Sequence, residues 1–187
     1  MLLEKLGLRF RVAVSHVDED AIVDRDPIKM IQRRAEAKVN ELVAHQRVYS
    51  IPDARESLIV AADSMAILGK KTYGKSADRE GSRTMLKALM GRTHVFATAI
   101  AIVLFDGTKV KKSWAKTVKT RVTMRKLSPV EIDSYISRFD FTRFAAAYAI
   151  NEAPWNLVTK IDGSYTNVIG LPFEVLLPVL RSLKIIV

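Results

Sequence analysis

The chain has 187 residues, 49% of them hydrophobic, and a net charge of +10 from 30 Lys and Arg against 20 Asp and Glu. It contains no cysteine, which excludes disulfides and thiol-based metal or nucleophile chemistry and points to a reducing compartment, the cytoplasm. No apolar run reaches the length of a membrane span, no charged-then-apolar leader opens the chain, and dispersed basic residues with few aromatics favour a nucleotide-sized polyanion over a nucleic acid.

A single domain, two lobes around one cleft without a separate linker, is expected for residues 1–187. Leu2 to Leu6 followed by Gly7 reads as the end of a helix closed by a glycine cap. Leu8 to Val14 alternates, with Phe10, Val12 and Val14 on one side, and predicts a short strand. It leads into Val17-Asp18-Glu19-Asp20, either a solvated acidic turn or a source of oxygen ligands for a hard divalent cation.

Asp26-Pro27 is a helix start, with Asp as N-cap and Pro at the first helical position. Ile28, Ile31, Ala35, Val39, Leu42 and Val43 then recur at helical spacing. Lys38 falls at the edge of that apolar face, as a side chain snorkelling past the rim or one aimed at a phosphate. Leu58 to Ala62 predicts a buried strand ended by Asp63, and carboxylates at strand ends of open sheets face ligand crevices. Ser76 or Asp78 caps the next helix, which ends at Gly91.

Gly69-Lys70-Lys71-Thr72-Tyr73-Gly74-Lys75-Ser76 satisfies the phosphate-binding loop pattern G-x-x-x-x-G-K-[ST]. Its four inner residues are bulky or charged, unlike a backbone nest around phosphate. Met65 to Leu68 and Thr72 to Tyr73 instead flank Gly69-Lys70 as the arms of a hairpin. A hairpin still leaves Lys75 near Asp63, so a phosphate site survives either reading.

Val95 to Phe105 predicts a central strand, Asp106-Gly107 a hairpin turn, and the alternation through Val118, Thr120, Val122 and Met124 the returning strand. Ser128-Pro129-Val130-Glu131 is a capping box. Phe144 to Ile150 is small and apolar, Asn151-Glu152-Ala153-Pro154 a turn, and Leu157 to Ile161 a strand. Phe173, Leu176, Leu177 and Leu180 mark a last helix that Pro178 should kink or shorten.

In order, Leu6-Gly7-Leu8-Arg9-Phe10, Val17-Asp18-Glu19, Ala35-x-x-Lys38, Ala61-Ala62-Asp63-Ser64, Gly74-Lys75-Ser76, Leu89-Met90-Gly91-Arg92-Thr93-His94, Ala147-Tyr148-Ala149-Ile150-Asn151 and Asn167-Val168-Ile169-Gly170-Leu171-Pro172 resemble the Maf (septum-formation-like) proteins, nucleoside triphosphate pyrophosphatases. The resemblance covers nearly the whole chain. It implies a mixed α/β fold, an elongated twisted mixed sheet flanked by helices with two lobes around a cleft. The implied reaction is attack of water on the α-phosphorus of a nucleotide, releasing the monophosphate and pyrophosphate.

By position, the resemblance implies Asp63 as base or metal-side carboxylate, Glu19 as metal ligand, Lys38 and Lys75 as phosphate-binding cations, and Asn151 as a polar contact to the nucleotide. It also implies a divalent cation, magnesium or manganese, and a homodimer. The Ala-Asp-Ser and Ala-Tyr-Ala-Ile segments lean toward the branch handling dTTP, UTP or modified pyrimidine nucleotides.

Four departures stand out. The family's Ser-x-Ser-Pro-Arg-Arg loop is not among these residues, Phe144 stands beside Arg143 where a lysine is expected, Asn151 replaces glutamine, and Ser76 replaces proline. The alternative expectation is a non-catalytic nucleotide-binding homologue without the phosphate-gripping loop.

Overall fold

A computed structural model describes residues 2–53, 55–138, 140–151 and 157–187. Among them a five-stranded sheet has the order β2-β1-β3-β4-β5, from β1 (Ser57–Leu68), β2 (Lys71–Tyr73), β3 (Thr93–Phe105), β4 (Val110–Met124) and β5 (Val158–Asp162). Its four pairings are antiparallel. The helices are α1 (Pro27–Ala44), α2 (Arg79–Leu89), α3 (Pro129–Arg138), α4 (Tyr165–Val168) and α5 (Phe173–Ser182). The mixed α/β class, a sheet flanked by helices, is as expected, but among the described residues the sheet is antiparallel throughout where a mixed one was expected, because hairpins and antiparallel returns join its strands.

The period of two along β3 sorts the core. Odd-numbered Ala97, Ala99, Ala101 and Val103 meet Ile31, Ala35 and Val39 of α1. Alanine at three successive positions lets the helix lie close to the sheet. Fully burying Ile31, which is 0% exposed, contributes roughly 1.5–3 kcal/mol. Even-numbered Ile100 and Ile102 face Leu176 and Leu180 of α5, and Phe96 joins Leu86 and Leu89 of α2 with Ile132 and Ile136 of α3.

Local signals hold where side chains close their own caps. Asp26 accepts from the Ile28 amide at 2.8 Å, with Pro27 opening α1. Ser128 and Glu131 form the reciprocal capping box, at 3.3 and 2.8 Å. Asp78, rather than Ser76, caps α2, and the Ser76 hydroxyl is turned inward onto Ser82 at 2.6 Å. Gly7 closes the turn Glu4–Leu6 with φ 66°, and α5 continues four residues beyond Pro178.

Two further expectations fail. Leu8 to Val14 is not a strand; Val12 and Val14 are 63% and 78% exposed. Alternation without a neighbouring strand offers the backbone no hydrogen-bond partners, and this arm is tied by side chains instead. Arg11 donates to the Tyr49 and Ser50 carbonyls, and the His16 amide donates to the Tyr49 hydroxyl. Nor does Asp63 end a strand: β1 runs on to Leu68, with Asp63 opposite Ala99 in mid-strand. The turn expected over Asn151 to Pro154 lies outside the described residues beyond Asn151.

The hairpin is realised, with Leu68 opposite Lys71 across a Gly69-Lys70 turn and Gly69 at φ 61°. Residues of the phosphate-loop pattern are thereby committed to β2. Asp106 is likewise absorbed by its turn, accepting from the Thr108 and Lys109 amides.

A buried polar knot anchors the segment carrying α4 to the sheet. Asn167, 0% exposed, donates through Nδ2 to the Phe96 carbonyl at 3.0 Å and to Thr120 Oγ1 at 2.9 Å. Thr98 Oγ1 donates to the Asn167 carbonyl at 2.9 Å, so in the Ser64–Thr98 contact at 2.8 Å the serine is the donor. Truncation would strand buried partners. Asn167→Ala is expected to lower stability by roughly 2–4 kcal/mol, read as the shift in a denaturant midpoint, and a loss below about 0.5 kcal/mol would contradict the anchoring role.

Candidate active site

β2 pairs only with Ala66 to Leu68, so among the described residues the β1 edge from Ser57 to Met65 has no strand beside it. A cleft of about 430 Å³ opens there, with Lys38, Asp63, Lys75 and Asn151 in its wall. Asp63 belongs to the odd-numbered row of β1 that otherwise packs against α1 through Ile59, Ala61, Met65 and Ile67. It is the charged member of an apolar row, and it lines the cleft.

Three of the expected residues converge. The Lys38 ammonium lies 3.0 Å from Asp63 Oδ1, 2.7 Å from Glu19 Oε2 and 3.2 Å from the Ala62 carbonyl. The side chains of Lys38 and Asp63 are only 14% and 11% exposed, that of Glu19 31%. Lys38 reaches this position because it stands nearly one turn after the buried Ala35 and next to the buried Val39 on α1, at the rim of the helix–sheet contact.

Glu19 arrives on the arm that failed to be a strand. Asp18 folds the acidic turn, its Oδ1 accepting from the Asp20 and Ala21 amides at 3.2 and 3.3 Å. That leaves Glu19 to point at Lys38, with Asp20 exposed. The arm is held to α1 by Arg34 donating to the Ile22 carbonyl and Arg33 to the Val23 carbonyl. The acidic cluster thus divides its work among its members, which composition alone does not reveal.

Burial pushes Asp63 up to about 6, and the neighbouring Glu19 carboxylate adds to the rise while Lys38 opposes it. For Glu19 burial acts in the same upward direction, but hydrogen bonds from Lys38 and Asp63 and the charges of Lys38 and Lys75 outweigh it and hold the group below its usual value. The deeper carboxyl therefore takes the proton of the pair more readily.

Lys75 is exposed and lies in the same cleft as Asp63. The Gly74 carbonyl accepts from the Ala146 amide at 2.8 Å, which joins the Lys75 segment to the turn Ala145–Ala147. Ala146 and Ala147 adopt φ 60° and 57°, left-handed conformations costly for alanine, and the turn carries Tyr148 into the cleft wall. Tyr148 meets His94 Nε2 at 2.9 Å; burial holds His94 down at about 4, so it is neutral at physiological pH. Asn151 also lines the cleft.

Sequence reasoning passed over the aromatic wall of Phe96 and Tyr148 and the supporting role of Asn167. Arg143 and Phe144 also line the cleft, the guanidinium carbon 4.9 Å from the Phe144 ring centre. The substitution of lysine by phenylalanine therefore does not leave that wall without a cation. Asn167 was legible only as part of a motif, since its partners are 47 and 71 residues away.

A carboxyl raised in the fold is stabilising when protonated, so its contribution is fully present below pH 3.8 and is lost as pH rises through about 6. Ionised Asp63 thus costs about 3 kcal/mol at neutral pH, by the free energy of each pKa unit. In chelator-treated protein, Asp63→Asn is expected to unfold at a higher temperature than the parent at pH 8, the gap closing by pH 4. A lower midpoint for the variant at pH 8 would show that the carboxylate is a net structural asset.

The sequence as a whole agrees with known proteins. A model of the Maf-like protein family matches residues 1–183. A dTTP/UTP pyrophosphatase of Pelotomaculum thermopropionicum is 31% identical over 182 residues, 97% of this chain and 89% of that protein. One of Syntrophomonas wolfei is 34% identical over 173 residues, 92% and 86% of the two chains. One of Thermoanaerobacter pseudethanolicus is 33% identical over 180 residues, 96% and 88%. The chain belongs to the Maf-like protein family.

Proposed function

We propose that this protein hydrolyses the α–β phosphate bond of a nucleoside triphosphate to the monophosphate and pyrophosphate, with dTTP and UTP as its preferred substrates. The observation that carries the reading is that Lys38 and Asp63, paired with each other and joined by Glu19 through Lys38, line one cleft with Lys75 and Asn151. The relatives named dTTP/UTP pyrophosphatase support the substrate class.

Phosphoryl transfer asks a protein mainly for positioning and charge neutralisation. Asp63, raised to about 6, is ionised at neutral pH yet basic enough to orient and deprotonate a water. Lys38 and Lys75 contact phosphate oxygens, and Asn151 meets the nucleotide through its amide. The aromatic wall of Phe96 and Tyr148 excludes bulk water from the reacting end.

The donor set fits magnesium or manganese. Two carboxylates and the Ala62 carbonyl already surround a cation, the Lys38 ammonium, with hard oxygen atoms. Among the described residues no group of three or more His, Cys, Asp or Glu is placed to hold a metal by itself, which suits an ion bound through one or two carboxylates and the substrate's phosphates. Glu19 and Asp63 would hold it, and when bound it would neutralise phosphate charge and act as a Lewis acid.

The proposal extends to a cytoplasmic homodimer. No helix among the described residues is long and apolar enough to cross a membrane. Light scattering is expected to give twice the chain mass of 21.0 kDa.

Incubation with Mg²⁺ or Mn²⁺ and a panel of nucleotides is expected to release pyrophosphate, fastest from dTTP and UTP. Asp63→Asn should lower kcat by about 10²–10⁴-fold, the usual range for a general base, and Lys75→Met should raise KM. Orthophosphate as the first product, or full activity in Asp63→Asn, would overturn the reading. Nucleotide binding without turnover would select a non-catalytic nucleotide-binding homologue instead.

A further inference from the structure

An ammonium has three N–H donors and no acceptor. In Lys38 these meet three oxygens: Glu19 Oε2 at 2.7 Å, Asp63 Oδ1 at 3.0 Å and the Ala62 carbonyl at 3.2 Å. The group is therefore saturated. It cannot donate to a phosphate without releasing at least one of these oxygens. The same oxygens are the hard donors that a divalent cation would use, and two charges of the same sign within a few ångströms exclude one another.

We infer that Lys38 is a resident counter-ion that keeps free divalent metal out of the Glu19–Asp63 site until a nucleotide phosphate draws its ammonium away. The inference rests on the proposed nucleotide reading and adds a positioning role for Lys38 to it. Its physical content is an exchange. Without nucleotide the ammonium neutralises the two carboxylates; with nucleotide it turns to the phosphates, and the carboxylates accept the ion that accompanies them. Metal and triphosphate then enter as a unit, and each raises the affinity for the other by the same factor.

The side chain is placed for such a movement. Lys38 lies on a well-anchored helix but reaches the site along a flexible four-carbon stem, and it lines the cleft together with Lys75. Glu19, its shortest contact, belongs to an arm fastened by side chains and not by a sheet ladder. No backbone hydrogen bond of β1 has to break for the exchange.

The test is a titration of the nucleotide-free protein with Mn²⁺, followed by the electron paramagnetic resonance signal of the free ion. The parent should bind Mn²⁺ weakly. Lys38→Met, which keeps the stem and removes the charge, should bind it with a Kd lower by about tenfold or more, since a unit charge is removed at contact distance. Lys38→Arg, which keeps a cation, should stay near the parent and shows whether packing alone matters. Lys75→Met, which makes no ion pair with either carboxylate although its charge reaches Glu19, should lower the Kd by clearly less than Lys38→Met does.

Equal Mn²⁺ affinity in parent and Lys38→Met would overturn the inference, as would equal gains in Lys38→Met and Lys75→Met, which would reduce the effect to net charge. Because the readout uses metal alone, it stands whether or not any nucleotide is hydrolysed. Absence of turnover would count against the proposed function, whereas a failed Mn²⁺ titration would count only against the counter-ion role.

Discussion

The Lys38 ammonium holds together two carboxylates that would otherwise repel one another in a partly dry site. Glu19 comes from an irregular arm, Asp63 from the middle of β1, and Lys38 from α1. Three separate parts of the chain meet at one positive charge. A buried charge is tolerated only with partners and hydrogen bonds in place, so the packing of α1 on the alanine row of β3 and the fastening of the arm by Arg33, Arg34 and Tyr49 all serve the geometry of that charge. Burial still raises Asp63 to about 6, although the ammonium beside it opposes the rise.

The shape of the sheet explains why the cleft lies where it does. A short β2 leaves most of the β1 edge without a neighbouring strand, and an open edge is normally a liability. Here part of it becomes the floor of a cleft, with the α1 face supplying Lys38 and the opposite face supplying the Asn167 anchor and the aromatic wall. The left-handed pair Ala146–Ala147 and the contact from Ala146 to Gly74 draw the two walls together. Strain of this kind persists only where surrounding structure enforces it.

Much of this was legible in the residues because it depends on local chemistry. The Asp26-Pro27 start, the Ser128–Glu131 capping box, the Gly69-Lys70 hairpin and the Asp106-Gly107 turn each close hydrogen bonds within a few residues. Leu8 to Val14 misled because alternation describes a face, and a strand also needs a partner. Asp63 was placed at a strand end because a charge usually terminates an apolar run; in β1 the run continues because Lys38 compensates the charge from another element. The grouping of Glu19, Lys38 and Asp63 in one site followed from family resemblance, whereas their contacts, and the Asn167 knot, depend on long-range packing that no window of sequence contains.

The chemical claim that unites these features is that the cluster directs water at the α-phosphorus. The direct measurement is hydrolysis of dTTP in isotopically labelled water, with the products separated and weighed by mass spectrometry. Attack at the α-phosphorus places the label in the monophosphate and leaves pyrophosphate unlabelled. Label in pyrophosphate, or in orthophosphate released from the terminal position, would contradict the account.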